Sequence, residues 1–285
     1  MNKKVIITAA LAGSWVFKNQ NPAVPYTPSE FAEEAAKAYK SGAAVVHVHA
    51  RQPADGFPTT KLEFVKPIYD AIKQQTPELI VQISSSVGAS YDERIAPIIE
   101  IKPEMSSLNT NTMNFGMIDR KKGTVIVDNV FVNTFTMLQD FGRTMEELKI
   151  KPEIEIYDIG GLDNWFLISK QGFFSTPYNF DFVWGVAGGY RFRPITFASL
   201  VDMLPDNSNF TTCGVGLDQF PAITQSCLMG GHMRVGLEDN IRIPNGELAK
   251  GSWEQVEWAV KIASCLGREP ATPDEARAIL GIAKI

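Results

Sequence analysis

Eight short apolar or β-rich runs, near residues 4–11, 43–50, 78–84, 104–110, 152–157, 180–186, 209–215 and 232–238, recur along this chain. Between most of them lie segments with helical spacing of apolar residues, at 29–41, 62–75, 91–100, 134–148, 195–203, 217–229 and 253–266. The first of these opens on Thr27-Pro28-Ser29-Glu30, a helix start signal. Eight strands alternating with helices in about 250 residues is the arithmetic of a (β/α)8 TIM barrel, an α/β fold. Near-continuous apolar strands suit a parallel sheet covered on both faces. A doubly wound open sheet would instead carry a glycine-rich turn after an early strand, and Gly13 alone does not make one. The stretch 158–179 fits neither strand nor helix clearly. From residue 268 on, Pro270, Thr272-Pro273 and a short helical pattern to Leu280 predict a C-terminal helix that closes the barrel or meets another copy.

No linker or repeat interrupts the 285 residues, and 45% apolar with 21% charged content is enough for a large core, so one barrel domain with a C-terminal helical extension is expected over 1–285. A net charge of −5 without a basic cluster argues against nucleic acid and anionic lipid as partners. Cys213, Cys227 and Cys265 show no CxxC spacing, which speaks against disulfides or a thiolate metal site and suits a reducing, cytoplasmic setting. Met1 to Lys4 ahead of Val5 to Gly13 superficially resembles a short signal peptide, but the Val-Ile-Ile-Thr run favours a buried strand. No stretch is long enough to span a membrane.

In such a barrel, polar residues at the C-terminal ends of strands carry the chemistry. The second run ends Val46-His47-Val48-His49-Ala50-Arg51, and alternation along a strand puts His47, His49 and Arg51 on one face. Two imidazoles so placed either converge on one ion or bond to backbone and water. The third run ends in Ser84-Ser85-Ser86, the fourth in Asn109-Thr110-Asn111-Thr112, and the fifth carries Glu153 and Glu155. In the eighth, the same alternation groups Arg234, Gly236 and Glu238, bringing a carboxylate to the barrel mouth. With His47 and His49 it would complete a His2Glu set, a common ligand set of catalytic zinc. Otherwise Glu238-Asp239 is a surface or helix-capping pair. His232, beside glycines at the start of its strand, reads as structural.

These motifs together resemble the β-keto acid cleavage enzymes, a zinc-dependent barrel family. The resemblance runs almost end to end: His47-Val48-His49-Ala50-Arg51, Arg94-Ile95-Ala96-Pro97, Ser107-Leu108-Asn109 through Met113-Asn114-Phe115-Gly116, Lys151-Pro152-Glu153-Ile154-Glu155, and most specifically Gly230-Gly231-His232-Met233-Arg234-Val235-Gly236-Leu237-Glu238-Asp239-Asn240. It implies a retro-Claisen exchange in which a β-keto acid and acetyl-CoA, the co-substrate, give acetoacetate and a new acyl-CoA. It implies that His47, His49 and Glu238 hold Zn2+, and that Asp239 poised by Arg234 is the acid/base pair. Ser84 or Ser85, Thr112 and Asn114 match positions that bind the substrate carboxylate, and Glu155 matches a pocket carboxylate. The family further implies a homotetramer.

Two departures bear on the substrate. Members that act on amino-bearing keto acids carry a carboxylate shortly after the first strand, whereas this chain reads Gly13-Ser14-Trp15. A substrate without a terminal ammonium is therefore expected, neutral or apolar, with Ser14 and Trp15 shaping its pocket. The glycine-rich turn usual after the third strand is here Ser85-Ser86-Val87-Gly88-Ala89-Ser90, and Asn111 replaces a glycine, so backbone and ligand approach less closely. The loop at Gly214 and Gly216 is a phosphate-site candidate by barrel habit alone. An amidohydrolase-type metal hydrolase also uses H-x-H, but on its first strand and with more histidines than His232 can supply. A barrel that binds ligand without turnover is the remaining alternative.

Overall fold

The computed structural model describes residues 3–119 and 121–283. Eight parallel strands form one sheet: β1 (Ile7–Ala12), β2 (Val45–Val48), β3 (Ile80–Ile83), β4 (Met105–Asn109), β5 (Lys151–Ile156), β6 (Tyr178–Trp184), β7 (Ser208–Gly214) and β8 (Met233–Val235). Neighbours in the sheet run in chain order, and β8 pairs β1. The remaining seam is bridged where the His232 N–H donates to Phe210 O at 2.7 Å. The eight expected runs are thus the eight strands of a nearly closed TIM barrel.

Nine helices follow among the described residues: α1 (Pro28–Ser41), α2 (Leu62–Gln75), α3 (Tyr91–Ile101), α4 (Phe135–Glu147), α5 (Ile159–Ser169), α6 (Pro194–Asp202), α7 (Gln219–Leu228), α8 (Ser252–Cys265) and α9 (Pro273–Leu280). None is long and apolar enough to cross a membrane. The Thr27 signal is a full capping box: Thr27 Oγ1 accepts from Glu30 N at 3.3 Å and Glu30 Oε2 accepts from Thr27 N at 3.0 Å. Such a cap is worth about 1 kcal/mol. The unassigned stretch holds α5, whose apolar residues lie all round it; Leu162 and Trp165 are buried while Ile159 and Leu167 are exposed.

Alternation divides the strand side chains. Val46, Val48, Leu108, Ile154, Ile156 and Phe182 pack outward in the core shared with the helices. The inward positions are graded along the barrel axis. At the bottom Ile6, Val45, Ile80 and Met105 form an apolar plug with Ala276 and Leu280 of α9, so the C-terminal helix closes the base. One layer higher the interior turns polar, with His47, Gln82, Glu153, Asp181 and Arg234 all buried. The register sets His47 beside Gln82, and Glu155 between Asn109 and Asp181. Polar groups therefore accumulate toward the C-terminal mouth.

One excursion was absent from the strand and helix pattern. After β4 the chain leaves the barrel as an arm in which Met113–Asn114 pairs Val130–Phe131 and Met117–Asp119 pairs Thr124–Val127, both antiparallel. It returns to roof the mouth before α4.

Candidate active site

His47 lies in β2 and His49 one residue beyond it, and both point Nε2 at Glu238 Oε1, at 3.6 and 3.2 Å. Glu238 gets there by a turn. The strand stops at Val235, and Asp239 N and Asn240 N both donate to Gly236 O, so the expected alternation from Arg234 to Glu238 does not extend that far. Gly236 sits at φ 154° with its Cα face against Ala10, where a Cβ would stand 2.0 Å from the carbonyl oxygen. Gly13 is as constrained: a Cβ there would meet Glu238 Cγ at 2.4 Å.

His47, His49 and Glu238 bring one ligand atom each within 4.8 Å of the others. The donor chemistry fits a divalent ion. Burial, the largest influence, drives His47 down to about 3 despite Glu238, so its ring is neutral near pH 7. Its Nε2 is buried without a hydrogen-bond partner, as is Glu238 Oε2. The other ring nitrogens are occupied, His47 Nδ1 by Gln82 Oε1 at 2.8 Å and His49 Nδ1 by Ser14 Oγ at 3.2 Å. Burial would raise Glu238, but the two histidines and Arg234 hold it well below the carboxylate range.

Beside this trio Arg234 is a charge hub. Its Nε and Nη2 donate to the two Asp239 oxygens at 3.0 Å each, and Nη2 donates to Glu238 Oε1 at 2.6 Å. Nη1 faces Glu155 at 3.5 Å and Asp181 at 3.6 Å. One guanidinium thus serves four carboxylates, three of them buried. Burial raises Asp239 to about 6, opposed by Arg234 and assisted by Glu238, and raises Glu155 to about 7. Tyr157 Oη donates to Glu155 Oε2 at 3.1 Å. Two carboxyl groups are therefore poised for proton transfer near neutral pH. A deeper trio, His47, Glu153 and Glu155, is also close enough for a metal, but Gln82 and Arg234 already engage its carboxylates.

His49, Glu238 and Arg234 open into a cleft of about 540 Å³ whose wall includes Trp15, Phe115, Phe131, Val183 and Val215. A second hollow of about 500 Å³ lies at the opposite face, where Lys73 and Arg277 both pair with Glu104.

A sequence profile described as "beta-keto acid cleavage enzyme" matches residues 4–282. The chain belongs to the β-keto acid cleavage enzyme family. It is 44% identical over 286 residues to a 3-keto-5-aminohexanoate cleavage enzyme of Fusobacterium nucleatum, covering 100% of both chains. It is 31% identical over 307 residues to a 3-dehydrocarnitine:acetyl-CoA trimethylamine transferase of Rhizobium meliloti, covering 100% of this chain and 98% of that one. The apo structure of ObcA superposes with TM-score 0.73 at 23% identity, over 92% of this chain and 66% of that one, which supports the barrel.

Within this β-keto acid cleavage enzyme fold, the residues anticipated from sequence fall into two groups. His49, Ser14, Glu155, Arg234, Glu238 and Asp239 line the cleft, with His47 just beneath. Ser84, Ser85, Thr112 and Asn114 do not line it. Ser85 is fully buried and its Oγ donates to Ser107 O at 2.5 Å, while Thr112 Oγ1 accepts from Asn133 N at 2.8 Å. Ser84 Oγ shares a hydrogen bond of 2.9 Å with Ser86, which does face the cleft. Gly216, the phosphate-loop candidate, gives its N–H to Asp239 O at 2.8 Å.

Arg94 and the arm were not anticipated as parts of the site. Arg94 is buried, donates to Ser85 O, to Val132 O at 3.0 Å and to Asn133 Oδ1 at 2.8 Å, and so ties the serine loop to the root of the arm. The Arg94-Ile95-Ala96-Pro97 motif was the available signal. His232 is structural: its Nδ1 accepts from Ile6 N at 3.1 Å.

Proposed function

We propose that this protein exchanges acyl groups between a β-keto acid and acetyl-CoA: R–CO–CH2–COOH + CH3–CO–S–CoA gives R–CO–S–CoA + CH3–CO–CH2–COOH. The observation that carries the reading is the convergence of two histidines and Glu238 beside a bidentate Arg234–Asp239 pair. His47, His49 and Glu238 would hold zinc. When bound, the ion supplies Lewis acidity that stabilises charge developing as the β-dicarbonyl is attacked or released. Asp239 accepts the proton from the carbon flanked by the keto and carboxyl groups, the most acidic C–H of the substrate. Arg234 holds Asp239 in place and stabilises neighbouring anionic oxygen. Glu155, bonded to Tyr157, is the second titrating group of the pocket. The substrate carboxylate is assigned to the serine loop, where Ser86, bonded to Ser84, faces the cleft, while Ser85 and Thr112 brace that rim through their backbone hydrogen bonds.

The side chain R is proposed to lack a terminal ammonium. Glu155, Glu238 and Asp239, the acidic groups of the cleft, all face Arg234. Ser14 stands where an ammonium partner would be needed, and its hydroxyl meets His49. The wall beyond is apolar.

The test is to incubate metal-loaded protein with acetyl-CoA and a panel of amino-bearing, neutral and apolar β-keto acids, following acetoacetate and the new acyl-CoA by mass spectrometry. Turnover of neutral or apolar acids that is lost in His49→Ala is the expected result. Preference for an amino-substituted acid would sink the substrate assignment, and metal uptake without any CoA-ester product would sink the reaction.

A further inference from the structure

The interior layer that carries His47 also holds Gln82 and Glu153, neither of which the reaction above employs. Both are buried, Gln82 completely. Gln82 lies beside His47 in register on the adjacent strand. His47 Nδ1 and Gln82 Oε1 are 2.8 Å apart, and Gln82 Nε2 donates to Glu153 Oε2 at 2.6 Å.

The order of groups in this row dictates where the protons sit. The amide NH2 end of Gln82 is spent on Glu153 Oε2. The carbonyl end is thereby turned to His47, and because a carbonyl only accepts, Nδ1 must carry the ring proton. A neutral imidazole with its proton on Nδ1 has a bare lone pair on Nε2, the nitrogen that faces Glu238. We propose that Glu153 and Gln82 are positioning residues which fix the tautomer and ring orientation of His47, so that Nε2 is always the ligand atom. The inference rests on the metal reading of His47, His49 and Glu238.

Packing alone does not ask for these residues. One layer down, the inward positions below His47 and Gln82 are filled by the apolar Val45 and Ile80. His49 makes the contrast. Its Nδ1 meets only the Ser14 hydroxyl, which can donate or accept and so imposes no tautomer. The buried ligand is held in one protonation pattern, and the ligand at the mouth is left adaptable.

The test compares apo protein of the wild type with Gln82→Leu, Glu153→Gln, and the exchange of both residues, Gln82→Glu with Glu153→Gln. Zinc affinity is measured by competition with a chromophoric chelator, the visible spectrum of the Co2+ form reports ligand geometry, and near-UV circular dichroism reports folding. Removing such an outer partner lowers metal affinity by about 10–100-fold, the loss expected for Gln82→Leu together with a changed Co2+ band. Glu153→Gln, which can present either end of its amide, is expected to weaken zinc less. The exchanged pair again offers Nδ1 an acceptor that is itself fixed by an amide donor, and is expected to recover wild-type affinity; this arm decides the matter if Gln82→Leu does not fold. Wild-type affinity in folded Gln82→Leu, or an exchanged pair that binds no better than either single variant, overturns the proposal. A wild-type protein that takes up neither zinc nor cobalt overturns the metal reading and this inference with it.

Discussion

Gly13 shows how tightly single atoms constrain the site. With its Cβ position 2.4 Å from Glu238 Cγ, any side chain at residue 13 must push the third ligand away from the histidines. Gly13→Ala is expected to lower zinc affinity by about tenfold or more, the scale on which disturbed ligand support acts, while the apo protein melts nearly as before. Chelator competition and a melting curve check this, and unchanged affinity would mean that Glu238 can be held another way. At this scale the sequence was informative where residue type carries the chemistry. That His47, His49, Arg234, Glu238 and Asp239 would meet was legible from their residue types and strand-end positions, and the fold does bring them together. The route of Glu238 was not legible, because the turn at Gly236 replaces the strand alternation expected there. Ser85 was misleading for a related reason: a hydroxyl on a rim loop looks available, yet its proton goes to Ser107 O across the sheet.

At the scale of elements, the least legible part is the arm over the mouth. Its paired segments are two to four residues long and expose Ile118, Val125, Ile126 and Val130, so neither strand length nor burial alternation marks them. α5 was hidden differently, since its apolar residues all round leave no single buried stripe to detect. The arm is tied down by Arg94, which links it to the serine loop. Arg94→Met leaves Val132 O and Asn133 Oδ1 without that donor, at a cost of roughly 1–3 kcal/mol per orphaned group. The variant is expected to be cut by trypsin faster at the exposed Lys121 and Lys122, and to show a raised KM for the keto acid. A digestion rate equal to wild type would mean that the arm is held by its own contacts, among them the Phe115–Phe131–Tyr157 cluster.

For the whole molecule, closure at the seam has a pH signature. His232 joins β7 to β1, donating its N–H to Phe210 O and accepting from Ile6 N on Nδ1. Burial, aided by Arg268, lowers it to about 3. The unfolded chain, with its histidine near the ordinary value of about 6.5, therefore binds the proton first. Stability from this group is complete above that value and falls as pH drops from there toward 3. Wild-type unfolding free energy is expected to fall more steeply with acid than that of His232→Asn, by up to about 1.4 kcal/mol per pH unit. Denaturant melts between neutral and mildly acidic pH measure the difference, and equal slopes would show that the seam does not depend on a neutral ring. The barrel itself was the most legible feature, because eight outward apolar faces must each be covered by a helix and that demand repeats along the chain.

The ligand trio joins distant parts of the polypeptide: residues 47 and 49 come early, and residue 238 follows the last strand of the sheet. During synthesis the third ligand does not exist until most of the barrel has left the ribosome. An ion held at this trio would consequently be captured only late in synthesis, and would act as a clasp between the beginning and the end of the barrel. A chain that stalls or is cut before Glu238 would lack the clasp altogether, rather than keep a weakened one.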